Sequence, residues 1–140
     1  MSRQNLSPQT VHNERAQWAW TKVSEVQEEG GSLSKDYAIH VRKLPARIKI
    51  NGLGQALAFL YSKAKDDDNT GAGRLLLDLG ERITALLDNR QPGKRIRRKA
   101  LMERLVDMSP DQYRRTTHEL MTTSEWMKRF VDGLFDKETD

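Results

Sequence analysis

SPDQYRRTTHELMTTSEWMKRFVDGLF, residues 109–135, decides the fold. Ser109-Pro110 is a cap followed by a first-turn proline, with Asp111 and Gln112 behind it. From there Tyr113, Thr117, Leu120, Ser124, Met127, Val131 and Leu134 recur at 3- and 4-residue steps. Trp126 and Phe130 broaden that surface. The period is that of an amphipathic helix, and it predicts one long helix from about Pro110 to Phe135.

The same grammar extends upstream. Ser7-Pro8 predicts a helix start, and Ala16, Ala19, Trp20, Val23 and Val26 share one arc, with Trp18 outside it. Gly30-Gly31 ends that helix. Ser34 can cap a second, with Asp36 in its first turn and Tyr37, Ala38, Val41 and Leu44 on one side. Pro45 predicts a turn or kink with Leu44 extended before it. Asn51-Gly52 can open a third helix, whose stripe of Leu53, Ala56, Leu57, Leu60, Tyr61 and Ala64, widened by Phe59, marks it as the most buried. The run Asp66 to Gly73 is a polar linker. A fourth helix is expected from about Arg74 to Asp88. After Gln91-Pro92-Gly93 a fifth is expected from about Lys94 to Asp107, with Ile96, Ala100, Leu101, Leu105 and Val106 as its apolar residues. Sustained period-2 alternation is absent. The expected fold is all-α: a compact bundle of five to six helices ending in a long C-terminal one, with termini (about 1–6 and 136–140) frayed.

At 140 residues there is room for a single domain spanning the chain. Mean hydropathy is -0.78 and no apolar stretch approaches the roughly 20 residues of a membrane helix, so no membrane partner is expected. The first ten residues hold no apolar signal core. The absence of cysteine excludes disulfides, thiolate metal sites and cysteine nucleophiles. An intracellular, cytoplasmic location fits these features.

Catalytic chemistry finds little support. His12, His40 and His118 fall on three different helices without a two-histidine metal spacing. Asp66, Asp68 and Gly71 begin like a calcium loop, but Leu77 occupies the position of the bidentate glutamate. Gly71-Ala72-Gly73 lacks the strand and third glycine of a dinucleotide site, and no phosphate-loop or nucleophile-elbow motif occurs. No catalytic residue, metal ligand or cofactor is assigned, and the chain is read as a non-enzyme.

Charge distribution says more. The net charge is only +4, yet two segments carry cations and no acid. Arg42, Lys43, Arg47 and Lys49 flank Pro45. Arg90 precedes Lys94, Arg95, Arg97, Arg98 and Lys99, the last five read as wrapping one helical turn with Ile96 inward. Acids gather instead at Glu25, Glu28, Glu29 and Asp66 to Asp68. Such patches suit a polyanion, through phosphate contacts that position a strand without reading its sequence. Trp18 and Trp126 could stack on bases, though packing in the core or between subunits is the preferred reading of each.

Two stretches together resemble a known family. YAIHVRKLPARIKINGLGQALAFLYSKAK (residues 37–65) carries Tyr37, Leu44-Pro45, Asn51-Gly52-Leu53-Gly54-Gln55 and Phe59-Leu60-Tyr61-Ser62-Lys63. YRRTTHELMTTSEWMKRFVDGLF (residues 113–135) carries Tyr113, Thr116 or Thr117, Glu119-Leu120 and Trp126-Met127-Lys128-Arg129-Phe130. These resemble the small all-helical subunit of the Cmr-type (type III-B) CRISPR effector complex.

The resemblance implies a non-catalytic antiviral role. Several copies would stack head to tail beside other Cmr-type subunits, along the channel that holds CRISPR RNA paired with its single-stranded target RNA. On this implication Arg42, Lys43, Arg47, Lys49 and Lys63 become RNA-facing candidates. Lys94, Arg95, Arg97, Arg98 and Lys99 are RNA-binding candidates on charge alone. Asn51, Gly52, Trp126 and Phe130 are core or subunit-interface candidates. Two rivals are a helical scaffold without RNA contact and a helix-turn-helix DNA binder using the fifth and sixth helices, with Arg114, Arg115 and Thr116 as base readers.

Overall fold

Two glycines act as single-residue joints. Gly30 (φ 67°) separates the first helix from the second, and Gly52 (φ 86°) the second from the third. Both lie in the positive-φ region that costs glycine little. The computed structural model describes residues 8–135, so the Ser7 cap and the ends expected to fray lie outside the described residues. Its helices are α1 (Pro8–Glu29), α2 (Gly31–Asn51), α3 (Leu53–Ala64), α4 (Gly71–Leu87), α5 (Arg98–Val106) and α6 (Pro110–Leu134). No strand occurs among the described residues. The all-α bundle with a long last helix is as the sequence predicts.

The start of α6 matches its sequence signal closely. Ser109 Oγ accepts from the Gln112 amide at 3.1 Å, and Gln112 Oε1 accepts from the Ser109 amide at 2.9 Å, closing a capping box.

Three expectations are corrected by burial. First, α2 runs through Pro45 without a turn, and Leu44 is helical. An interior proline costs about 3 kcal/mol. Val41, Leu44 and Ile48 around it are all buried, and each such side chain contributes about 1.5–3 kcal/mol. Burial wins.

Second, α4 rather than α3 is the most buried helix, with 13 of its 17 residues inside. It packs on α2, α3, α5 and α6. It also begins before Arg74. Thr70 caps it by accepting from the Gly73 amide at 2.9 Å, and Asp36 of α2 accepts from the Ala72 amide at 3.2 Å. A Cβ at Gly71 would collide with the backbone of Asp36 and Tyr37. That contact requires glycine there.

Third, α5 starts at Arg98, leaving residues 91–97 non-helical. A Cβ at Gly80 would sit 2.9 Å from Ile96 and 3.2 Å from Leu101, so this glycine lets both seat on α4. Within α5, Leu101 and Leu105 enter the core while Val106 is 84% exposed.

The tryptophans of α1 are also reversed. Trp18 is half-buried and donates to Glu81 at 2.9 Å, whereas Trp20 is 48% exposed. Beside Trp18 lies a buried ionic network across α1, α4 and α6. Arg82, fully buried, meets Glu14 and Glu119, each at 2.7 Å. Arg15 meets Glu119 at 2.9 Å, and Thr123 donates to it at 3.1 Å. Burial alone would raise the Glu119 pKa; the Arg15 and Arg82 guanidinium groups overcome it and hold the carboxyl at about 2.

Candidate nucleic-acid interface

Residues 36, 40, 43 and 47 are spaced four, three and four apart, so on α2 they form one stripe. The stripe reads Asp36, His40, Lys43, Arg47. Against it α3 sets Phe59 and Lys63. The Arg47 guanidinium lies 3.9 Å over the Phe59 ring, and the Lys63 ammonium 5.5 Å from the same ring. The His40 ring stands edge-on to Phe59 at 6.2 Å. Lys43, Arg47 and Lys63 all act on His40 electrostatically. Two cations from two helices thus converge on the Phe59 ring, and with Lys43 they surround His40.

A groove of about 450 Å³ adjoins them, lined by Arg47, Asn51, Gln55, Ala56 and Phe59. It offers a guanidinium, two amides and a ring face. Asn51 is the exposed last residue of α2 and caps nothing: no side-chain cap bond forms at the α3 start. The Gly52 amide instead returns to the Ile48 carbonyl at 2.9 Å. The expected Asn cap is therefore replaced by a glycine joint.

The other α2 cations point elsewhere. Arg42 bonds Asp132 of α6 at 3.1 Å, with its side chain 9% exposed. Lys49 is exposed, six residues past Lys43, which on a helix of about 3.6 residues per turn is another face.

The segment Lys94 to Lys99 is not one cationic helical turn. Arg95 reaches inward to Asp78 at 3.4 Å. Arg98 is buried and clamped by Asp66 at 3.1 Å and by Asp68. Lys94, Arg97 and Lys99 are exposed, and the Arg95 side chain stays 42% exposed while it bonds Asp78. The acidic run at Asp66 to Asp68 is solvent-facing, as expected, yet it also holds Arg98. Arg97 and Lys99 line a cleft of about 730 Å³ with Tyr61, and Asp66, Asp68 and Glu103 there offset their charge.

Trp126 and Phe130 belong to an aromatic ladder across α1 and α6. Trp126 stacks on Phe130 at 5.6 Å, Phe130 meets Trp20 edge-on at 5.2 Å, and His12 meets Trp126 at 5.0 Å. Both interface candidates are half-buried in this ladder.

Buried Asp78 was not singled out by sequence. Tyr37 donates to it at 2.7 Å, and Arg74 and Arg95 approach from opposite sequence directions. Burial pushes its pKa up to about 6 despite the Tyr37 bond and the cations Lys22, Arg74 and Arg95. His40 carries no two-histidine spacing to mark it in the sequence. The i, i+4 and i+7 spacing of Asp36, His40 and Lys43 was the available signal. Among the described residues no group of three His, Asp or Glu side chains is arranged to hold a metal ion. No described helix is long and apolar enough to cross a membrane.

Comparison with known proteins agrees over most of the chain. Residues 11–134 match the family model described as CRISPR-associated protein (Cas_Cmr5). A Thermus thermophilus protein described as CRISPR system Cmr subunit Cmr5 is 33% identical over 123 residues, covering 87% of this chain and 93% of its own. The crystal structure of a CRISPR-associated Cmr5 family protein from Thermus thermophilus superimposes with a TM-score of 0.64 at 30% identity. It covers 89% of this chain and 97% of that one. With the glycine joints and the motif residues of both stretches, Tyr37 to Lys63 and Tyr113 to Phe130, inside the matched span, this chain belongs to the Cmr5 family, the small subunits of Cmr-type CRISPR complexes.

Proposed function

We propose that the chain is a non-catalytic structural subunit that lines the RNA channel of its effector complex and serves antiviral defence there. Copies stack head to tail, and each adds sequence-independent contacts to CRISPR RNA paired with its target RNA. The observation that carries this is the convergence of Arg47 and Lys63 on Phe59, with Lys43 close enough to join them in acting on His40, beside a groove lined by Asn51 and Gln55. Exposed Lys43 and Lys63 with half-buried Arg47 can neutralise phosphates and release counterions. They carry no base-reading geometry of their own.

Stacking needs two different complementary surfaces. One is a mainly apolar groove of about 710 Å³ lined by Met102, Leu105, Val106, Met108 and Tyr113, which shares Asn51 and Gln55 with the groove beside Arg47 and has exposed Glu103 on α5 and exposed Asp107 just after it. The other is the Trp20–Phe130–Trp126 ladder, with Lys128 and Arg129 exposed beside it. Tyr113 and Phe130 lie about 25 Å apart along α6, so the two surfaces occupy different ends of the subunit.

One observation favours the scaffold: Arg42, Arg95 and Arg98 are paired with the carboxylates Asp132, Asp78 and Asp66 of the same chain. Ultraviolet crosslinking of the assembled complex separates the two. Crosslinks from the Lys43–Lys63 surface to RNA are expected. Reversal of Lys43, Arg47 and Lys63 to glutamate should then lower RNA retention while the subunit still assembles. Lost assembly with no RNA crosslink would favour the scaffold.

A further inference from the structure

His40 sits where a phosphate would change its protonation. The residue is nearly enclosed, at 8% exposure, with its ring between one acid and one guanidinium. Nε2 lies 3.4 Å from Asp36 Oδ1, and Nδ1 lies 3.4 Å from Arg47 Nη1. An Arg47 N–H can only donate, so Nδ1 must accept, and the proton of the neutral ring resides on Nε2 toward Asp36. A second proton on Nδ1 would set N–H against N–H and charge against like charge. The charged groups acting on the ring are Asp36, Lys43 and Arg47 from its own helix and Lys63 from α3. Burial comes first in holding its pKa below the ordinary histidine value. Asp36 opposes, and Arg47, Lys43 and Lys63 add to the depression.

A phosphate seated on the three cations reverses each local effect except burial. It neutralises Lys43, Arg47 and Lys63 as seen from the ring. It also gives the Arg47 N–H groups a stronger, charged acceptor, which releases Nδ1. The imidazolium can then bond Asp36 on one side and the phosphate on the other. We infer that His40 couples proton uptake to phosphate-backbone binding at this cluster, so RNA binds more tightly as pH falls. The inference rests on the reading of Lys43, Arg47 and Lys63 as an RNA contact, and it adds a regulating group to that surface. It predicts a histidine that is a positioning and sensing residue, not a catalytic one.

The test uses the full-length protein and a polyuridine oligonucleotide at constant ionic strength. Fluorescence anisotropy should show affinity rising on the order of three- to tenfold between about pH 8 and about pH 6, the range for a single linked histidine. His40→Gln should bind as wild type at about pH 8 and lose the rise. In unmutated protein, the NMR titration midpoint of the His40 ring should move upward when the oligonucleotide is added. That readout stands even where the variant fails to fold. Measurable binding with a flat pH profile, or an unmoved His40 midpoint, overturns the coupling and leaves the RNA contact intact. An equal slope in His40→Gln overturns it as well. No binding at any pH overturns the RNA contact at this cluster and the coupling with it.

Discussion

The Gly54 amide donates a 2.8 Å hydrogen bond to the Tyr113 hydroxyl. This single contact joins the two family-like stretches, one at the start of α3 and one at the start of α6. It also explains both residue types. A Cβ at Gly54 would stand 3.3 Å from the Tyr113 oxygen, and a first-turn helix amide has no partner within its own helix. Tyr113 supplies the acceptor, and the absent side chain at position 54 lets the ring approach.

Tyr113→Phe should therefore lose the bond while keeping the packing. The site is partly exposed, so water can replace the acceptor, and the expected loss is about 0.5–1.5 kcal/mol. Urea unfolding would read this as a lower midpoint with an unchanged slope. A loss above that range would mean that the hydroxyl also organises the neighbouring apolar groove.

Two glycine substitutions should have opposite signs. Gly71→Ala places a methyl against the Asp36 and Tyr37 backbone, where no flexible side chain can yield. Parting α2 from α4 at that point should cost more than about 2 kcal/mol, as overpacking does. Gly133 lies in the last turn of α6 with nothing near its missing Cβ. Gly133→Ala should be neutral or stabilising by up to about 1 kcal/mol. Thermal melts of the pair check both, and a benign Gly71→Ala would contradict the close helix contact.

How much of this was legible follows the range of the interaction. The α6 start is readable because Ser109 and Gln112 are three residues apart and satisfy each other. Gly30 and Gly52 are legible as breaks for the same local reason. Pro45 misleads because its cost is local while the burial of Val41, Leu44 and Ile48 against other helices is not. The Lys94–Lys99 segment misleads because its course depends on Arg95 reaching Asp78 and on Ile96 reaching Gly80. Arg82 reads as a surface charge in any hydropathy pattern; only Glu14, Glu119 and Trp18, from two other helices, make its burial tolerable. For the candidate site, the cation count was legible. Which cations are free to act was not, because Asp132, Asp66 and Asp68 claim theirs across the fold.

Acid stability should follow Glu119. Its folded pKa of about 2 lies below the ordinary 4.5, so its contribution is complete above the unfolded value and is lost as pH falls toward the folded one. The shift corresponds to about 3 kcal/mol, on the order expected of a buried carboxylate held by two guanidinium groups. Asp78 acts with the opposite sign. Its folded pKa is raised to about 6, so the protonated form favours folding and stability falls as pH rises through that value. Wild type should thus show a stability maximum on the acidic side of neutrality. Glu119→Gln should flatten the acid limb and destabilise the protein at neutral pH by about 3–5 kcal/mol, because Arg82 and Arg15 lose their shared partner. Chemical denaturation across a pH series would measure both limbs.

The salt dependence of RNA binding can identify which cations touch phosphate. For a single strand, each neutralised phosphate contributes about 0.7 to the slope of log affinity against log salt. Replacing Lys43, Arg47 and Lys63 by glutamine should lower that slope by about 2 and weaken binding to all sequences alike. Arg42→Gln should leave the slope unchanged, since Arg42 already bonds Asp132, and its effect should appear in the melting temperature instead. Arg98→Gln should behave the same way, because Asp66 and Asp68 hold its guanidinium. A slope lowered equally by Arg42→Gln and Arg47→Gln would put the strand on two separate faces of α2, the Asp132 side and the Phe59 side, and would exclude the α2–α3 cluster as the contact surface.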